Sequence, residues 1–353
     1  MIVRICVTLW FICLSLPALA QGFAGLGTEA EGFAVPDPAE PLTFPRDHFP
    51  HPDYRIEWWY VTATLKGADG QDYGIQWTLF RSALQPVAAE GWSASQLWMG
   101  HAGLTTPERH FVAERRGRGG LGVAGVSAGP FHAFIDDWSF LSTSGEDAPY
   151  QSASLTASFA DARYDLELRA DGPLVLHGTT GYSQKSAKGQ ASYYYSQPFY
   201  KVTGTLELPE GPVAVTGDAW LDREWSSQPL ASDQTGWDWF SLKFEDGSRM
   251  MAFALRSETG APYTSVTWIS PEGIATPYGD GALVATPLDT STVAGRQVPT
   301  EWRLQLADKG LDITTRPLNP QSWMATSFPY WEGPISFEGS HRGKGYLEMT
   351  GYK

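Results

Sequence analysis

The sequence predicts an all-β protein made of two tandem, similar antiparallel β-barrel domains. Its 353 residues include 37 Gly and 25 Pro, about half as much again as average usage, which favours short elements joined by tight turns. Apolar and polar residues alternate along several segments, and an aromatic pattern near the start of the chain recurs in its second half. These three observations predict the fold class and the number of domains.

The alternating segments are typical of strands that bury one face. Residues 164–169, 303–306, 311–313 and 346–349 each place apolar side chains on one side of an extended chain. No long window has a convincing helical period. The turn pairs that separate such segments, as expected for antiparallel hairpins, are Asp69-Gly70, Asp171-Gly172 and Asp246-Gly247.

The internal repeat predicts the domain boundaries. Three landmarks recur at offsets of 180, 177 and 175 residues, namely Tyr60, Gly70 and Arg81 as Phe240, Gly247 and Arg256. A nearly constant offset indicates duplication of one structural unit. We therefore expect one domain over residues 42–228 and a second over 229–353. Each is long enough for about eight strands, which can close into a barrel that holds a small ligand.

The first 20 residues have the layout of a cleavable signal peptide. Arg4 precedes an apolar run over residues 5–16 and the small-residue end Ala18-Leu19-Ala20. Both cysteines, Cys6 and Cys13, lie inside this segment, so we expect no disulfide or thiolate chemistry in the mature chain. Residues 21–41 are predicted to be a flexible tail. The sequence predicts a periplasmic or secreted protein, and no later apolar run is long enough for an integral membrane protein.

Charge and motifs exclude several classes of function. The chain has 25 Lys and Arg against 39 Asp and Glu, a net charge of −14, which disfavours nucleic acid as a partner. No dinucleotide fingerprint or phosphate loop occurs, so we expect no cofactor. His48 and His51, with Asp47 and Asp53 nearby, lie among prolines that prevent a helical ligand pair. We therefore predict no metal site.

Candidate catalytic residues are concentrated in residues 217–225. In an extended strand, Trp220, Asp222 and Glu224 lie on one face, and Leu221, Arg223 and Trp225 lie on the other. A buried carboxyl with a raised pKa can act as a general acid while a second carboxylate positions water. Arg223 is expected to lower the pKa of Asp222, because a nearby guanidinium stabilises the carboxylate.

The same carboxylates have a structural interpretation. Asp222 and Glu224 can instead form ion pairs that tie the two domains together, with partners such as Arg55, Arg81 or Arg256. Both interpretations remain open at the level of sequence.

Other polar residues lie among aromatic ones. Glu57 directly precedes three aromatic residues and is expected to begin a buried strand, where it has to be paired or neutral. It faces Arg81, Arg223 or a ligand. Tyr194 offers a phenolic hydroxyl to a ligand or packs in a core, and His101 is either a core histidine or a ligand contact.

Four ordered motifs carry a resemblance to a known family. They are Arg46-Asp47-His48 to Glu57-Trp58-Trp59-Tyr60, Tyr194-Tyr195-Ser196-Gln197-Pro198, Trp220-Leu221-Asp222-Arg223-Glu224-Trp225 and Gly236-Trp237-Asp238-Trp239-Phe240. From about residue 42 to 352, the chain resembles the AttH and carotenoid 1,2-hydratase (CrtC) family of secreted proteins, often labelled predicted secreted hydrolases. The resemblance implies two lipocalin-like barrels. Some relatives hydrate acyclic carotenoids, distant fungal ones accelerate polyene cycloadditions, and some bacterial ones accompany export-type permeases.

Three functions are compatible with these residues. The first is an exported lipocalin-like protein that binds an apolar lipid or isoprenoid ligand, in association with an envelope ABC-type transporter. The second is a hydro-lyase of the carotenoid 1,2-hydratase type, with Asp222 as acid, Trp220 or Trp225 as the aromatic wall and Glu57 or Glu224 as the water-orienting base. The third is a glycan-active protein that uses tryptophan platforms. The candidate ligand-binding residues are Trp59, Trp220, Trp225, Trp239, Tyr194 and His101.

Overall fold

The computed structural model describes residues 31–86, 91–228, 230–258 and 260–352. The predicted signal peptide and the first part of the predicted tail, residues 21–30, lie outside the described residues. Within the described ranges the chain is all-β, with short 3-10 helices at Arg46–His48, Gly91–Ser93 and Ala307–Lys309. None of these helices is long and apolar enough to cross a membrane.

The strands are named in chain order. They are β1 (Ile56–Gly67), β2 (Asp72–Ala83), β3 (Gln96–Thr105), β4 (His110–Arg118), β5 (Ala124–Ser127), β6 (His132–Ile135), β7 (Trp138–Ser142), β8 (Ser152–Ser158), β9 (Arg163–Ala170), β10 (Val175–Leu176), β11 (Tyr182–Gln184), β12 (Ala191–Leu208), β13 (Gly211–Ser226), β14 (Gln234–Phe244), β15 (Arg249–Ser257), β16 (Tyr263–Ile269), β17 (Ala275–Tyr278), β18 (Leu283–Val293), β19 (Arg296–Leu306), β20 (Leu311–Pro317), β21 (Trp323–Met324), β22 (Tyr330–Gly339) and β23 (Gly343–Met349).

The strands form two antiparallel sheets that follow one another along the chain. The first has the order β4-β3-β2-β1-β13-β12-β9-β8-β7-β6-β5, with β10 and β11 also paired to β12. The second has the order β17-β16-β15-β14-β23-β22-β20-β19-β18, with β21 paired to β22. In chain order, the first strand of each sheet pairs with both the second and the last: β1 with β2 and β13, and β14 with β15 and β23. One sheet is a nearly closed barrel and the other a half-barrel, which confirms the predicted all-β, lipocalin-like fold.

The apolar side chains form three clusters. The first sheet encloses a core that contains Trp59 and Trp77, and the second encloses one that contains Trp302 and Trp331. A third cluster lies between the sheets and includes Tyr60 of β1 and twelve other buried residues from both halves of the chain. The two sheets are therefore joined by an apolar interface.

Part of the predicted tail makes specific contacts with the first sheet. The Ala34 amide donates to the Asp53 carbonyl at 2.9 Å, and the Asp37 amide donates to the Tyr193 hydroxyl at 3.0 Å. Ser227 donates to the Ala34 carbonyl. Ala34 and Asp37 are thus held against the folded domain by hydrogen bonds of their backbone groups.

Candidate functional site

A cavity of about 750 Å³ lies between the two sheets. Its wall is mostly aromatic and aliphatic, with Trp58 and Tyr194 from the first sheet and Trp239, Phe253 and Leu255 from the second. Large apolar side chains that meet in a concave space are typical of sites for small molecules. The candidate ligand site therefore lies between the two barrels.

Asp222 is a buried polar residue of this cavity that accepts three side-chain hydrogen bonds. Its side chain is buried, and its Oδ2 accepts a hydrogen bond from the Tyr194 hydroxyl at 2.6 Å. Its Oδ1 accepts one from Trp220 Nε1 at 2.6 Å and another from the Ser196 hydroxyl. The Tyr194 hydroxyl in turn accepts from Trp239 Nε1 at 3.0 Å. This chain of hydrogen bonds links the carboxyl to the second sheet.

Burial raises the pKa of Asp222 to about 7, against hydrogen bonds from Ser196, Tyr194 and Trp220 that lower it. The negative charge of Glu224 also raises this pKa. None of the three donors carries a charge, so they only partly offset the cost of burying a carboxylate. Asp222 is therefore protonated in a large fraction of molecules near neutral pH.

The expected effect of Arg223 on Asp222 is wrong. Strand alternation places the Arg223 guanidinium on the opposite face of β13, 3.8 Å from the Trp59 ring centroid and ion-paired with Glu57. The two faces of this strand were assigned correctly from the sequence. What the sequence does not show is which side of β13 faces the first core and which faces the cavity.

Glu57 cannot serve as the predicted water-orienting base. Its two oxygens form ion pairs with Arg81 and Arg223, and the His51 amide donates to its Oε1 at 3.0 Å. The two guanidinium groups outweigh burial and hold the pKa of Glu57 well below its usual range. A carboxylate stabilised in this way is a poor proton acceptor. The sequence context required Glu57 to be either paired or neutral, and the structure shows that it is paired.

Glu224 lies on the cavity face, beside Asp222. Lys185 Nζ is 2.8 Å from Glu224 Oε1, and the Ser192 hydroxyl donates to the same oxygen. The ammonium of Lys185 also lies 4.3 Å from the Phe253 ring centroid. The ion pairs predicted between these carboxylates and Arg55, Arg81 or Arg256 are not among those observed in the described residues. Glu224 pairs with a lysine instead, and Asp222 accepts only neutral donors.

The candidate ligand-binding residues divide into two groups. Tyr194 and Trp239 line the cavity, and Trp220 packs between the sheets, where it binds Asp222. Trp59 and Trp225 belong to the first core instead, which corrects their assignment as ligand contacts and that of Trp225 as the aromatic wall. They lie on the far face of their strands.

His101 also lies away from the cavity wall. It is 1% exposed, its Nδ1 is 3.0 Å from the Tyr330 hydroxyl, and its Nε2 is 3.3 Å from Glu114 Oε1. Burial lowers its pKa, so it is neutral at physiological pH. His101 is therefore a core histidine with polar partners rather than a ligand contact.

Several residues of the site have no clear signal in the sequence. His177 Nε2 is 2.6 Å from the Ser196 hydroxyl, and its Nδ1 is 2.9 Å from the Thr267 hydroxyl of the second sheet. The serine stands between the histidine and Asp222, which is not the order of a nucleophilic triad. Ser196 could have been found from its spacing, because it lies two residues after Tyr194 in the same strand. His177, Lys185 and Glu348 come from segments with no motif.

The histidines near the N-terminus bind other protein groups. His48 Nδ1 is 2.7 Å from the Tyr195 hydroxyl, and His51 stacks on Trp225 with ring centroids 3.9 Å apart. In the described ranges, no group of three or more His, Cys, Asp and Glu side chains is arranged to hold a metal ion.

The chain matches the model of a known protein family. The model of the family described as AttH-like matches residues 35–352, nearly all of the chain that carries the two sheets. The chain belongs to the AttH-like family. This confirms the resemblance that the four sequence motifs carry.

Solved structures of relatives have the same AttH-like architecture. An AttH protein from Nitrosomonas europaea is 30% identical, with a TM-score of 0.80 over 91% of this chain and 100% of that chain. Kievitone hydratase from Nectria haematococca is 16% identical, with a TM-score of 0.67 over 92% of this chain and 97% of that chain. The likeness to kievitone hydratase is one of fold alone. No curated protein matches the chain in sequence.

Proposed function

We propose that this AttH-like protein is a hydro-lyase of the hydratase type, which adds water across a carbon–carbon double bond of an apolar substrate held between its two domains. The observation that carries the proposal is Asp222, a carboxyl whose pKa burial raises to about 7 in the wall of an aromatic cavity. A general acid works best when its pKa lies near the working pH. A likeness in fold to a hydratase supports the same chemistry.

Protonation of the double bond is the first step. The O–H bond of Asp222 breaks, its proton adds to one alkene carbon, and the π electron pair becomes the new C–H bond. The other carbon becomes a cation, which the π faces of aromatic side chains in the cavity stabilise. Water then adds to this carbon and loses a proton to a base, and Asp222 regains a proton from solvent. The largely apolar wall of the cavity limits the access of bulk water to the cation.

The alternative function is that of a carrier, which also binds an apolar ligand. As a carrier, the protein would hold a lipid or isoprenoid in the same cavity and leave it unchanged, and the aromatic wall favours this equally. Association with an envelope transporter and export by the signal peptide remain predictions from the sequence. A glycan-active protein is less compatible with the cavity, because aromatic and aliphatic side chains make up most of its wall.

The first experiment identifies what the cavity holds. The protein is purified gently from its own envelope and analysed by native mass spectrometry, followed by lipid analysis under denaturing conditions. We expect one apolar molecule for each chain. An empty protein that binds neither added isoprenoids nor lipids would contradict both the hydratase and the carrier.

The second experiment separates the enzyme from the carrier. Asp222→Asn keeps an amide oxygen for Trp220 and an amide group for Tyr194, so we expect binding of lycopene, an acyclic polyene, to be retained. Hydration of lycopene should fall by roughly 10²–10⁴-fold, which is the usual contribution of a general acid. The control is Asp165→Asn, which removes an exposed carboxylate on β9. Equal hydration by Asp222→Asn and the wild type would exclude Asp222 as the acid.

A further inference from the structure

A second pair of carboxyl groups lies on the opposite wall of the cavity. Glu332 of β22 and Glu348 of β23 are directly opposed in the register of the second sheet, so their side chains share one face. Glu332 is fully buried, and Glu348 reaches the cavity. This pair is absent from every sequence motif described above.

The contacts of the pair indicate that it holds a proton. Glu332 Oε1 accepts a hydrogen bond from the Tyr60 hydroxyl at 2.8 Å, and Glu348 Oε1 accepts one from Trp237 Nε1 at 2.5 Å. No donor of the described residues reaches the buried Glu332 Oε2. A proton shared with Glu348 satisfies that oxygen. Burial, with the charge of Glu348, raises the pKa of Glu332 well above its usual range.

The two carboxyls are thus arranged to share a proton. Two adjacent carboxylates in an apolar site cannot both be ionised without a large cost, so one of the two keeps its proton to a higher pH than the other. Burial also raises the pKa of Glu348, and the charge of Glu224 adds to this effect, against the hydrogen bond from Trp237. A basic carboxylate of this kind is suited to accept a proton from water.

The other carboxyl groups of the cavity wall are either ion-paired or already assigned as the acid. Among the described residues, four carboxyl side chains line the cavity, namely Glu57, Asp222, Glu224 and Glu348. Glu57 is ion-paired with Arg81 and Arg223, and Glu224 with Lys185. Asp222 supplies the proton. Of the three carboxyls other than Asp222, only Glu348 has no observed cationic partner in the part of the chain that the structure describes.

The strand positions put Glu348 across the cavity from Asp222. Asp222 belongs to β13 of the first sheet, whereas Glu348 belongs to β23 of the second and is the register partner of Trp239. Trp239 Nε1 donates to Tyr194, whose hydroxyl donates to Asp222. A flat double bond that lies between the two sheets therefore has the acid on one side and Glu348 on the other.

We propose that Glu348 is the base that activates the attacking water in the proposed hydration, and that Glu332 is a positioning residue that holds the shared proton. This inference rests on the proposed function. The water oxygen forms the C–O bond to the cationic carbon, and one of its protons passes to the Glu348 carboxylate. Glu348 then releases this proton to solvent while Asp222 is protonated again, so that one water is added for each double bond lost.

The test separates proton transfer from water addition. Lycopene is incubated with the protein in D2O enriched in oxygen-18, and two quantities are measured: deuterium in the recovered alkene and oxygen-18 in the alcohol. Glu348→Gln should reduce alcohol formation by roughly 10²-fold or more, yet retain deuterium exchange because Asp222 is intact. Asp222→Asn should lose both. Glu338→Gln, on the same strand β22 and exposed, is the matched control and should resemble the wild type.

The positioning role of Glu332 has its own readout. Glu332→Gln should move the acid limb of the pH–rate profile of alcohol formation to lower pH, because a neutral amide that donates to Glu348 lowers its pKa. A merely structural role would change the amount of folded protein without moving this limb. An unshifted limb would exclude the proposed role of Glu332.

Two further outcomes keep the inferences distinct. If Glu348→Gln forms alcohol at the wild-type rate while Asp222→Asn does not, the role of Glu348 is overturned and the proposed function stands. If the wild type hydrates nothing, both are overturned.

Should Glu348→Gln fail to fold, carbon-13 NMR of wild-type protein labelled at the glutamate carboxyl carbons replaces it. Full ionisation of both Glu332 and Glu348 at neutral pH would refute the shared proton.

Discussion

At the scale of single residues, two buried carboxyls on adjacent strands have pKa values that are shifted in opposite directions. Glu57 of β1 meets two guanidinium groups, which hold its pKa well below the usual range. Asp222 of β13 meets only neutral donors, and burial raises its pKa to about 7. The difference follows from the partner that each strand face supplies, because burial alone disfavours the charge of both.

Asp222 should make stability depend on pH in a defined direction. Its pKa rises from 3.8 to about 7 on folding. Its contribution to the free energy of unfolding is therefore fully present below about pH 4 and is lost as the pH rises through 7. Compared with Asp222→Asn, the wild type should lose about 4 kcal/mol of unfolding free energy between these limits. Urea denaturation at several pH values measures the difference. A constant difference between the two proteins would contradict the raised pKa.

Glu57 should matter for stability rather than for catalysis. Glu57→Gln leaves Arg81 and Arg223 buried without their carboxylate, and we expect a loss of roughly 3–5 kcal/mol. Urea denaturation at pH 7 measures it, with the exposed Glu338→Gln as a control that should change stability by less than about 0.5 kcal/mol. If Glu57→Gln folds with wild-type stability but binds no lycopene, Glu57 belongs to the ligand site instead.

At the scale of the element, strand β13 separates a structural face from a functional one. Asp222 and Glu224 point to the cavity, and Arg223 and Trp225 point to the first barrel. The strand keeps this division because it pairs without a register shift to β1, from Ile56 opposite Ser226 to Gly67 opposite Val215. A slip by one residue would exchange the two sets.

Two tryptophan variants test this division. Trp225→Phe should lower the free energy of unfolding by roughly 1–2 kcal/mol and leave lycopene affinity unchanged, because Trp225 lies in the first core. Trp239→Phe removes the indole donor to Tyr194 and a part of the cavity wall, so it should weaken lycopene binding at least several-fold. Quenching of tryptophan fluorescence measures both affinities. If Trp225→Phe weakened lycopene binding as much as Trp239→Phe, the core face of β13 would also influence the cavity.

At the scale of the whole molecule, the apolar cluster between the sheets makes the two domains interdependent. Phe253 and Leu255 of β15 are buried there with Tyr60 and Trp220 of the first sheet. The hydrogen bond from Tyr60 to Glu332 crosses the same interface. Buried apolar area of this kind couples the unfolding of the parts that share it. We therefore expect the described domains to unfold together.

A charge placed in this interface should uncouple the domains. Phe253→Asp puts a carboxylate where the native side chain is 3% exposed, at a cost of several kcal/mol. In calorimetry, we expect the single transition of the wild type to divide into two. Val284→Asp, at a position on β18 that is 51% exposed, should keep one transition. A single transition for Phe253→Asp at lower temperature would mean that contacts outside this cluster also link the domains.

The sequence by itself determined the all-β fold, the two faces of the segment around Asp222 and the family. Strand alternation and turn pairs are local, so they can be read from neighbouring residues, and Ser196 follows from the same period of two. The family resemblance rests on motifs in a fixed order, which a sequence also shows directly.

The tertiary structure decided which face of each strand meets a partner and what that partner is. Glu57 and Arg223 are 166 residues apart, and Tyr60 and Glu332 are 272 apart, so no local pattern relates them. The cavity, the raised pKa of Asp222 and the position of Glu348 opposite it exist only when the two sheets pack together. Burial and electrostatic pairing depend on distances in space, and that is why the fold and the candidate acid were predictable from this chain while the partners of the site residues were not.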